Sequence, residues 1–191
     1  MEILSQRSLT HLKHGLRTLG YSEQPSIDSK MPLHRFVRDE SWQVDFLIAD
    51  HVAPTILSDL PSPTPVQAPG GTNALSRTVV VDLLDADGAA RVSVPDIVGA
   101  IMLKVEAYRV DSRDRTRHLR DAATLAQLLD DSNSGPPLHG DGATRVRRLI
   151  RWLDNRDIVM TARINSDAAN DAVIALEDLL ERDPGTPEGG P

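Results

Sequence analysis

The most informative segment of the chain runs from Val94 to Arg109 and reads VPDIVGAIMLKVEAYR. Its apolar residues recur at the spacing of a helix with about 3.6 residues per turn, so the stretch predicts a helix with one apolar side. That apolar stripe consists of Ile97, Ile101, Val105 and Tyr108. Lys104 falls inside the stripe, which is unusual because burial of a charge without a partner is expensive.

Two interpretations of Lys104 stay open on spacing alone. In the first, the aliphatic stem packs on the stripe and the ammonium reaches water past the small neighbours Ala100 and Ala107. In the second, the ammonium lies in a cleft and binds an anionic ligand such as a phosphate. The two interpretations differ in whether an anion faces Lys104.

Residues 111–125 read DSRDRTRHLRDAATL and predict a second helix after a short charged turn. Asp121 lies at the edge of the apolar side of that helix. Two successive helices joined in this way can bring Lys104 and Asp121 to one groove. Alternatively, Asp121 is solvated or pairs with Arg117 or Arg120.

Composition limits the class of protein. The chain has 191 residues, a formal net charge of −7 and no cysteine, which excludes disulfides, thiolate metal sites and cysteine nucleophiles. No apolar run approaches about 18 residues, and no signal peptide is recognised, so no membrane partner is predicted and the cytoplasm is the expected location. The acidic charge argues against a strongly basic nucleic-acid binder, and no DNA partner is predicted.

The N-terminal part predicts one helix and two strands. Residues 3–19 carry leucines at helical spacing, and Gly20 is placed for a left-handed helix cap. Residues 33–38 and 42–48 predict adjacent strands. The period-2 pattern places Asp45 on the face opposite Trp42, Val44, Phe46 and Ile48. A carboxylate at mid-strand needs solvent, a counter-charge or a metal.

The remaining segments complete the predicted organisation. Residues 50–78 predict a long loop rich in proline and glycine, and residues 79–84 and 91–94 predict a hairpin.

Two C-terminal helices are expected, over about 143–155 and 167–182, the second with Ser166 as its N-cap. The outer face of the first is expected to carry Arg145, Arg148 and Arg151, which are candidates to bind RNA phosphates unless they form a solvated face. The predicted domain boundaries are 1–130, a linker over 131–142, a helical part over 143–183 and a disordered tail over 184–191.

An ordered set of short segments points to a family. The segments are LGY from Leu19 to Tyr21, HRF from His34 to Phe36, VDFLI from Val44 to Ile48, APGGTNAL from Ala68 to Leu75, KVEAYR from Lys104 to Arg109 and HLRDAATL from His118 to Leu125. Together they resemble the AbiEii-type nucleotidyltransferases, which include toxins of type IV toxin–antitoxin systems and MenT-like toxins. This family belongs to the polymerase-β-like nucleotidyltransferase superfamily. The resemblance covers roughly residues 4–130.

The resemblance implies a fold and an activity. The expected fold class is α/β (α+β), with a partial nucleotidyltransferase-like mixed sheet flanked by helices and a helical C-terminal part. The expected activity is transfer of a nucleoside monophosphate from an NTP to an RNA acceptor, with the 3′ end of tRNA as the first candidate. A cognate antitoxin protein is a further partner that the resemblance implies.

The same resemblance assigns the candidate residues. Asp45, Lys104 and Asp121 are the implied catalytic residues. Asp45 would be one of the carboxylates that bind Mg²⁺, Lys104 would contact a phosphate, and Asp121 would serve activity or nucleotide positioning. Further candidates to contact the NTP or the RNA, besides Lys104, are Arg109, Arg117 and Arg120.

One departure from the family pattern limits these expectations. The family signature, a Gly-Ser pair followed by Asp-x-Asp on the next strand, is absent from this chain. A single Asp45 carboxylate cannot hold two Mg²⁺ ions. Three hypotheses stay open: the start codon lies upstream and the whole protein is an active transferase; the chain is a non-catalytic relative that binds nucleotide, RNA or protein; or it is an unrelated α/β interaction module.

Overall fold

The computed structural model describes residues 6–24, 35–53, 66–85, 88–130, 132–133, 135 and 137–182. The predicted tail over 184–191, much of the predicted loop over 50–78 and the centre of the second hairpin turn lie outside the described residues. The chain divides into two compact units, Met1–Gly71 and Thr72–Pro191. A mixed α/β fold with a helical C-terminal part is confirmed.

In its described residues, the first unit contains one helix and five short strands. Their bounds are α1 Gln6–Thr18, β1 Ser22–Glu23, β2 Arg35–Arg38, β3 Trp42–Asp45, β4 Leu47–Ala49 and β5 Val66–Ala68. Strands β1, β2 and β3 form an antiparallel sheet in that order, and β4 pairs with β5 in parallel. The single strand expected over 42–48 is therefore two strands that belong to different sheets, because the chain changes pairing partner at Phe46.

Helix α1 ends as its sequence predicts. Gly20 has a φ of 84°, a left-handed conformation that costs glycine little. The N–H of Gly20 donates to the carbonyl of Arg17 at 3.0 Å, and the N–H of Tyr21 donates to that of Leu16 at 2.9 Å. These two bonds are those of a Schellman cap, and they satisfy carbonyls that the end of the helix leaves without partners.

The second unit begins with a short helix and a hairpin and continues as a helical bundle. Its elements are α2 Gly71–Ser76, which starts at the boundary between the units, β6 Thr78–Asp85, β7 Gly88–Pro95, α3 Ile97–Val110, α4 Arg115–Ala126, α5 Gly140–Leu153, α6 Arg156–Thr161 and α7 Ser166–Glu181. Strands β6 and β7 pair antiparallel with Asp85 opposite Gly88, as the predicted hairpin requires. One face of this hairpin is wholly apolar and exposed; it carries Val79, Val81, Leu83, Ala90, Val92 and Val94.

The core of the second unit lies between α3, α4, α5 and α7. Its fully buried side chains include Ile101, Leu119, Leu149 and Leu176. Helices on both sides of the predicted linker over 131–142 therefore share one core. Removal of these apolar surfaces from water is the main favourable contribution to folding.

Helix boundaries near the C-terminus differ from those predicted. The helix expected to reach Asn155 ends at Leu153, and Asn155 instead caps α6 by accepting from the backbone N–H groups of Asp157 and Ile158. The predicted N-cap Ser166 is wrong: Asn165 is the N-cap of α7, and its side chain accepts from the N–H groups of Asp167 and Ala168. Asn and Ser are both good N-caps, so residue type alone did not separate the two adjacent positions.

Candidate functional site

Lys104 and Asp121 lie together where α3 packs against α4. Lys104 Nζ donates to Asp121 Oδ2 at 2.6 Å. The side chains are 35% and 39% exposed, so the ion pair lies at the edge of the core and is accessible from solvent. An anion does face Lys104, and it is the carboxylate of Asp121, which was one of the arrangements that the short turn between the two helices permits.

The start of α3 is fixed by a second ion pair. Asp96 caps the helix by accepting from the N–H of Gly99 at 2.6 Å, and it also accepts from Arg77 Nε at 3.1 Å. Both side chains are largely buried. Because this cap sets where α3 begins, it also fixes the turn of the helix on which Lys104 lies.

Asp45 lies in the other unit, at the end of β3. Arg35, directly opposite on β2, donates from Nε to Asp45 Oδ1 at 2.7 Å and from Nη2 to Oδ2 at 2.9 Å. The hydrogen bond from Gln43 to Asp45 at 3.0 Å confirms that these two residues share a face of the strand. The pKa of the Arg35 guanidinium is raised, chiefly by its hydrogen bonds to Asp45. A carboxylate at mid-strand needs solvent, a counter-charge or a metal, and Asp45 therefore has a counter-charge, the guanidinium of Arg35.

The described residues do not fit the Mg²⁺ site that the family implies. Both oxygens of Asp45 accept from Arg35 in a bidentate arrangement, which is the geometry that most favours an arginine–carboxylate pair. Within the part of the chain that the structure describes, no group of three or more His, Cys, Asp or Glu side chains could hold a metal ion.

The three arginines expected to contact NTP or RNA differ in their surroundings. Arg109 donates to Glu106 at 2.8 Å and is 55% exposed, and Arg117 lies 3.9 Å from Asp111 with 56% exposure. Arg120 Nη1 donates to the carbonyl of Ala162 at 3.1 Å. Arg109 and Arg117 can therefore reach a ligand in solvent, whereas Arg120 satisfies a backbone carbonyl just after α6.

Sequence reasoning missed a buried carboxylate on α3. Glu106 is 3% exposed, and it accepts from Arg109 at 2.8 Å, from Arg145 at 3.0 Å and from Arg148 at 3.5 Å. A signal was present: Val98 and Met102 precede Glu106 at four-residue spacing and make a second buried row on the helix. The apolar stripe around Ile101 packs on one side, and this second row extends the buried surface around α3.

The four arginines of α5 separate into an inner and an outer pair. Arg145, expected on the outer face, is 9% exposed and binds Glu106, which corrects that expectation. Arg148 also reaches Glu106. Arg147 and Arg151 instead line an open groove of about 560 Å³ together with Thr144, Ile150, Glu177 and Leu180.

His118 and Asp111 form a further polar contact beside α4. His118 Nε2 lies 3.0 Å from Asp111 Oδ2, while His118 Nδ1 is buried and has no hydrogen-bond partner among the described residues. The pKa of Asp111 is lowered from 3.8 to about 2, first by the backbone N–H of Arg113 and then by the hydrogen bond with His118. Asp111 is therefore a persistent carboxylate that positions the turn between α3 and α4.

The character of the helices and three comparisons with known proteins bear on what kind of protein this chain is. None of the helices in the described ranges has the length and apolar character needed to cross a membrane. In comparisons with known proteins, no protein-family model, no curated protein and no solved structure matches this chain. The resemblance to AbiEii-type nucleotidyltransferases therefore has only the sequence segments as its support. The ion pair of Lys104 with Asp121 is observed in the structure and does not depend on that resemblance.

Proposed function

We propose that this chain is a nucleotidyltransferase-like protein in which Lys104 binds a phosphate group of a nucleoside triphosphate. The observation that supports this most is the 2.6 Å contact between Lys104 and Asp121 on two adjacent helices. The ammonium is partly exposed beside an otherwise apolar stripe, so an incoming phosphate can replace Asp121 as its anion.

Asp121 has two effects in this proposal. It holds the flexible Lys104 side chain in one orientation, so this side chain loses less conformational entropy when a phosphate binds. It also competes with the phosphate for the same ammonium. We therefore expect Asp121 to position Lys104 for transfer while weakening the ground-state affinity for the nucleotide.

The proposed acceptor is RNA, with the 3′ end of tRNA as the first candidate, and the proposed role is that of a toxin with a cognate antitoxin. These statements come from the resemblance. Arg117 and Arg109 are the proposed RNA or NTP contacts, because both are more than half exposed. Arg120 is a weaker candidate, because its guanidinium already donates to the carbonyl of Ala162.

A second candidate function is a non-catalytic module that binds nucleotide, RNA or protein. The observation that favours it is the bidentate Arg35–Asp45 pair, which engages the carboxylate that the family would use for metal binding. Under this alternative Lys104 still binds phosphate, but no nucleotide is transferred.

One experiment separates the two functions. The chain is incubated with each labelled NTP, Mg²⁺ and total tRNA, and both transfer to RNA and NTP binding are measured. Transfer that is lost in Lys104→Ala supports the transferase, and NTP binding without transfer, lost in the same variant, supports the module. Arg147→Ala is the matched control, since it also removes one cation from a helix of the second unit. If wild type neither transfers nor binds NTP, or if Lys104→Ala equals wild type in both, the proposal fails.

A further inference from the structure

We propose that Arg109 and Arg148, supported by the buried Arg145, form an oxyanion site that takes a phosphate group on the side of α3 that faces α5. Arg109 is also a proposed NTP or RNA contact, but this site stands on the geometry around Glu106 and would bind phosphate whether or not nucleotide is transferred. Residues 104 and 106 are about 200° apart around a helix, so the two clusters lie on opposite sides of α3.

The geometry converges on one carboxylate. Arg109 Nε donates to Glu106 Oε2 at 2.8 Å, Arg145 Nε donates to Oε1 at 3.0 Å, and Arg148 Nη1 lies 3.5 Å from the same Oε1. Arg109 extends from the last turn of α3, and the other two arginines come from α5. The three guanidinium groups are therefore neighbours although they come from two separate helices.

The charges of this cluster do not balance. Three guanidinium groups and one carboxylate leave two positive charges in excess. The Asp141 carboxylate is 3.8 Å from Arg145 Nη1, but its side chain is 84% exposed, so water screens most of its effect. Arg145 itself is 9% exposed, and its Nη1 is buried without a hydrogen bond among the described residues. Excess positive charge beside the buried Arg145 is costly because little water reaches it, and a bound anion would offset that cost.

The two accessible arginines define the ligand chemistry. Arg109 is 55% exposed and Arg148 is 32% exposed, and each guanidinium uses only part of its five N–H donors on Glu106. Planar guanidinium groups bind phosphate oxygens in pairs of hydrogen bonds. Glu106 repels an approaching anion, but it is buried and turned inward, whereas Arg109 and Arg148 are partly exposed and can offer their remaining donors to a ligand.

Equilibrium dialysis of labelled inorganic phosphate tests the site, at an ionic strength held constant with sodium chloride. Saturable binding to wild type is expected, and it should fall at least about tenfold in Arg109→Gln and in Arg148→Gln, because each variant removes charged hydrogen bonds. Arg151→Gln removes the same charge from the outer face of α5 and should change binding less than about twofold. Each single variant leaves the buried Arg145–Glu106 contact in place, so folding is expected to persist, and thermal unfolding checks it.

The outcomes decide the proposal. Absence of saturable phosphate binding by wild type overturns it and leaves the cluster as an internal ion network. An equal loss in Arg151→Gln also overturns it, since the binding would then follow overall charge. A short oligoribonucleotide added as competitor identifies the source of the phosphate: displacement supports a phosphodiester, and retention of bound phosphate supports the free ion.

Discussion

Arg145 donates to Glu106 at 3.0 Å, and both side chains are buried although 39 residues separate them in sequence. The contact joins α3 to α5 across the segment over 131–142 that was predicted to be a linker. Because α3 also carries Lys104, a change at this contact can shift the helix on which the candidate phosphate-binding residue lies.

Glu106→Ala should destabilise the protein by about 3–5 kcal/mol, because it leaves the buried Arg145 without its carboxylate partner. The free energy of unfolding, measured by urea titration, checks this value. Glu177→Ala, on the exposed face of α7, is the control and should change stability by no more than about 0.5 kcal/mol. A Glu106→Ala variant as stable as this control would show that the network does not hold the two helices together.

Asn165→Ala should cost about 0.5–2 kcal/mol, because the side chain satisfies the first free N–H groups of α7. Ser166→Ala should cost markedly less, since Ser166 is the first residue within the helix. Thermal unfolding of the two variants side by side tests the assignment. A larger loss in Ser166→Ala would restore the cap position that the sequence predicts.

Asp111→Asn should make the free energy of unfolding depend less on pH at acidic pH. The pKa of Asp111 is lowered from 3.8 to about 2, so the folded state binds fewer protons than the unfolded state between these values. The stabilisation is complete above the unfolded pKa and is lost as the pH falls toward the folded one. Wild type should therefore lose stability from pH 3.8 down to about 2 more steeply than Asp111→Asn.

Unfolding temperature against pH measures this effect. Asp171→Asn, an exposed carboxylate on α7, is the control and should keep the wild-type slope. If Asp111→Asn keeps the wild-type slope as well, the hydrogen bonds from Arg113 and His118 do not set the acid stability of this turn.

Lys104→Ala should lower stability by no more than about 1 kcal/mol, because a partly exposed ion pair contributes little to folding. NTP binding should nevertheless be lost. Calorimetric unfolding and equilibrium dialysis with NTP separate the two effects. A loss of several kcal/mol would mean that Lys104 has a structural role, and it would remove the main support for a ligand site there.

Asp121→Asn should separate binding from transfer. Removal of the competing carboxylate should raise NTP affinity by up to about tenfold, whereas transfer should fall because Lys104 is no longer positioned. Steady-state kinetics with dialysis at the same NTP concentrations provide both values. Parallel losses of binding and transfer would contradict the competition between Asp121 and phosphate.

Elements with local signals could be predicted from the amino-acid sequence. Helical spacing predicted α3 and α4, Gly20 predicted the end of α1, and the pattern of residues 79–94 predicted the hairpin. The pairing of Lys104 with Asp121 was one of the alternatives that the sequence left open, because a short turn between consecutive helices permits this contact without requiring it. The family and activity suggested by the sequence remain proposals.

Which charged side chains face inward depends on contacts between helices that are distant in sequence. Arg145 lies about 100° from the buried Val146 around α5, a border position from which a long side chain can turn either way. Glu106, distant in sequence, turns it inward, and Arg147 and Arg151 have no such partner among the described residues. Residues 42–48 show the same limit, because the alternation along a strand does not reveal that β3 pairs with β2 while β4 pairs with β5. Periodicity fixes the direction of a side chain relative to its own helix or strand, whereas its partner depends on packing between distant segments.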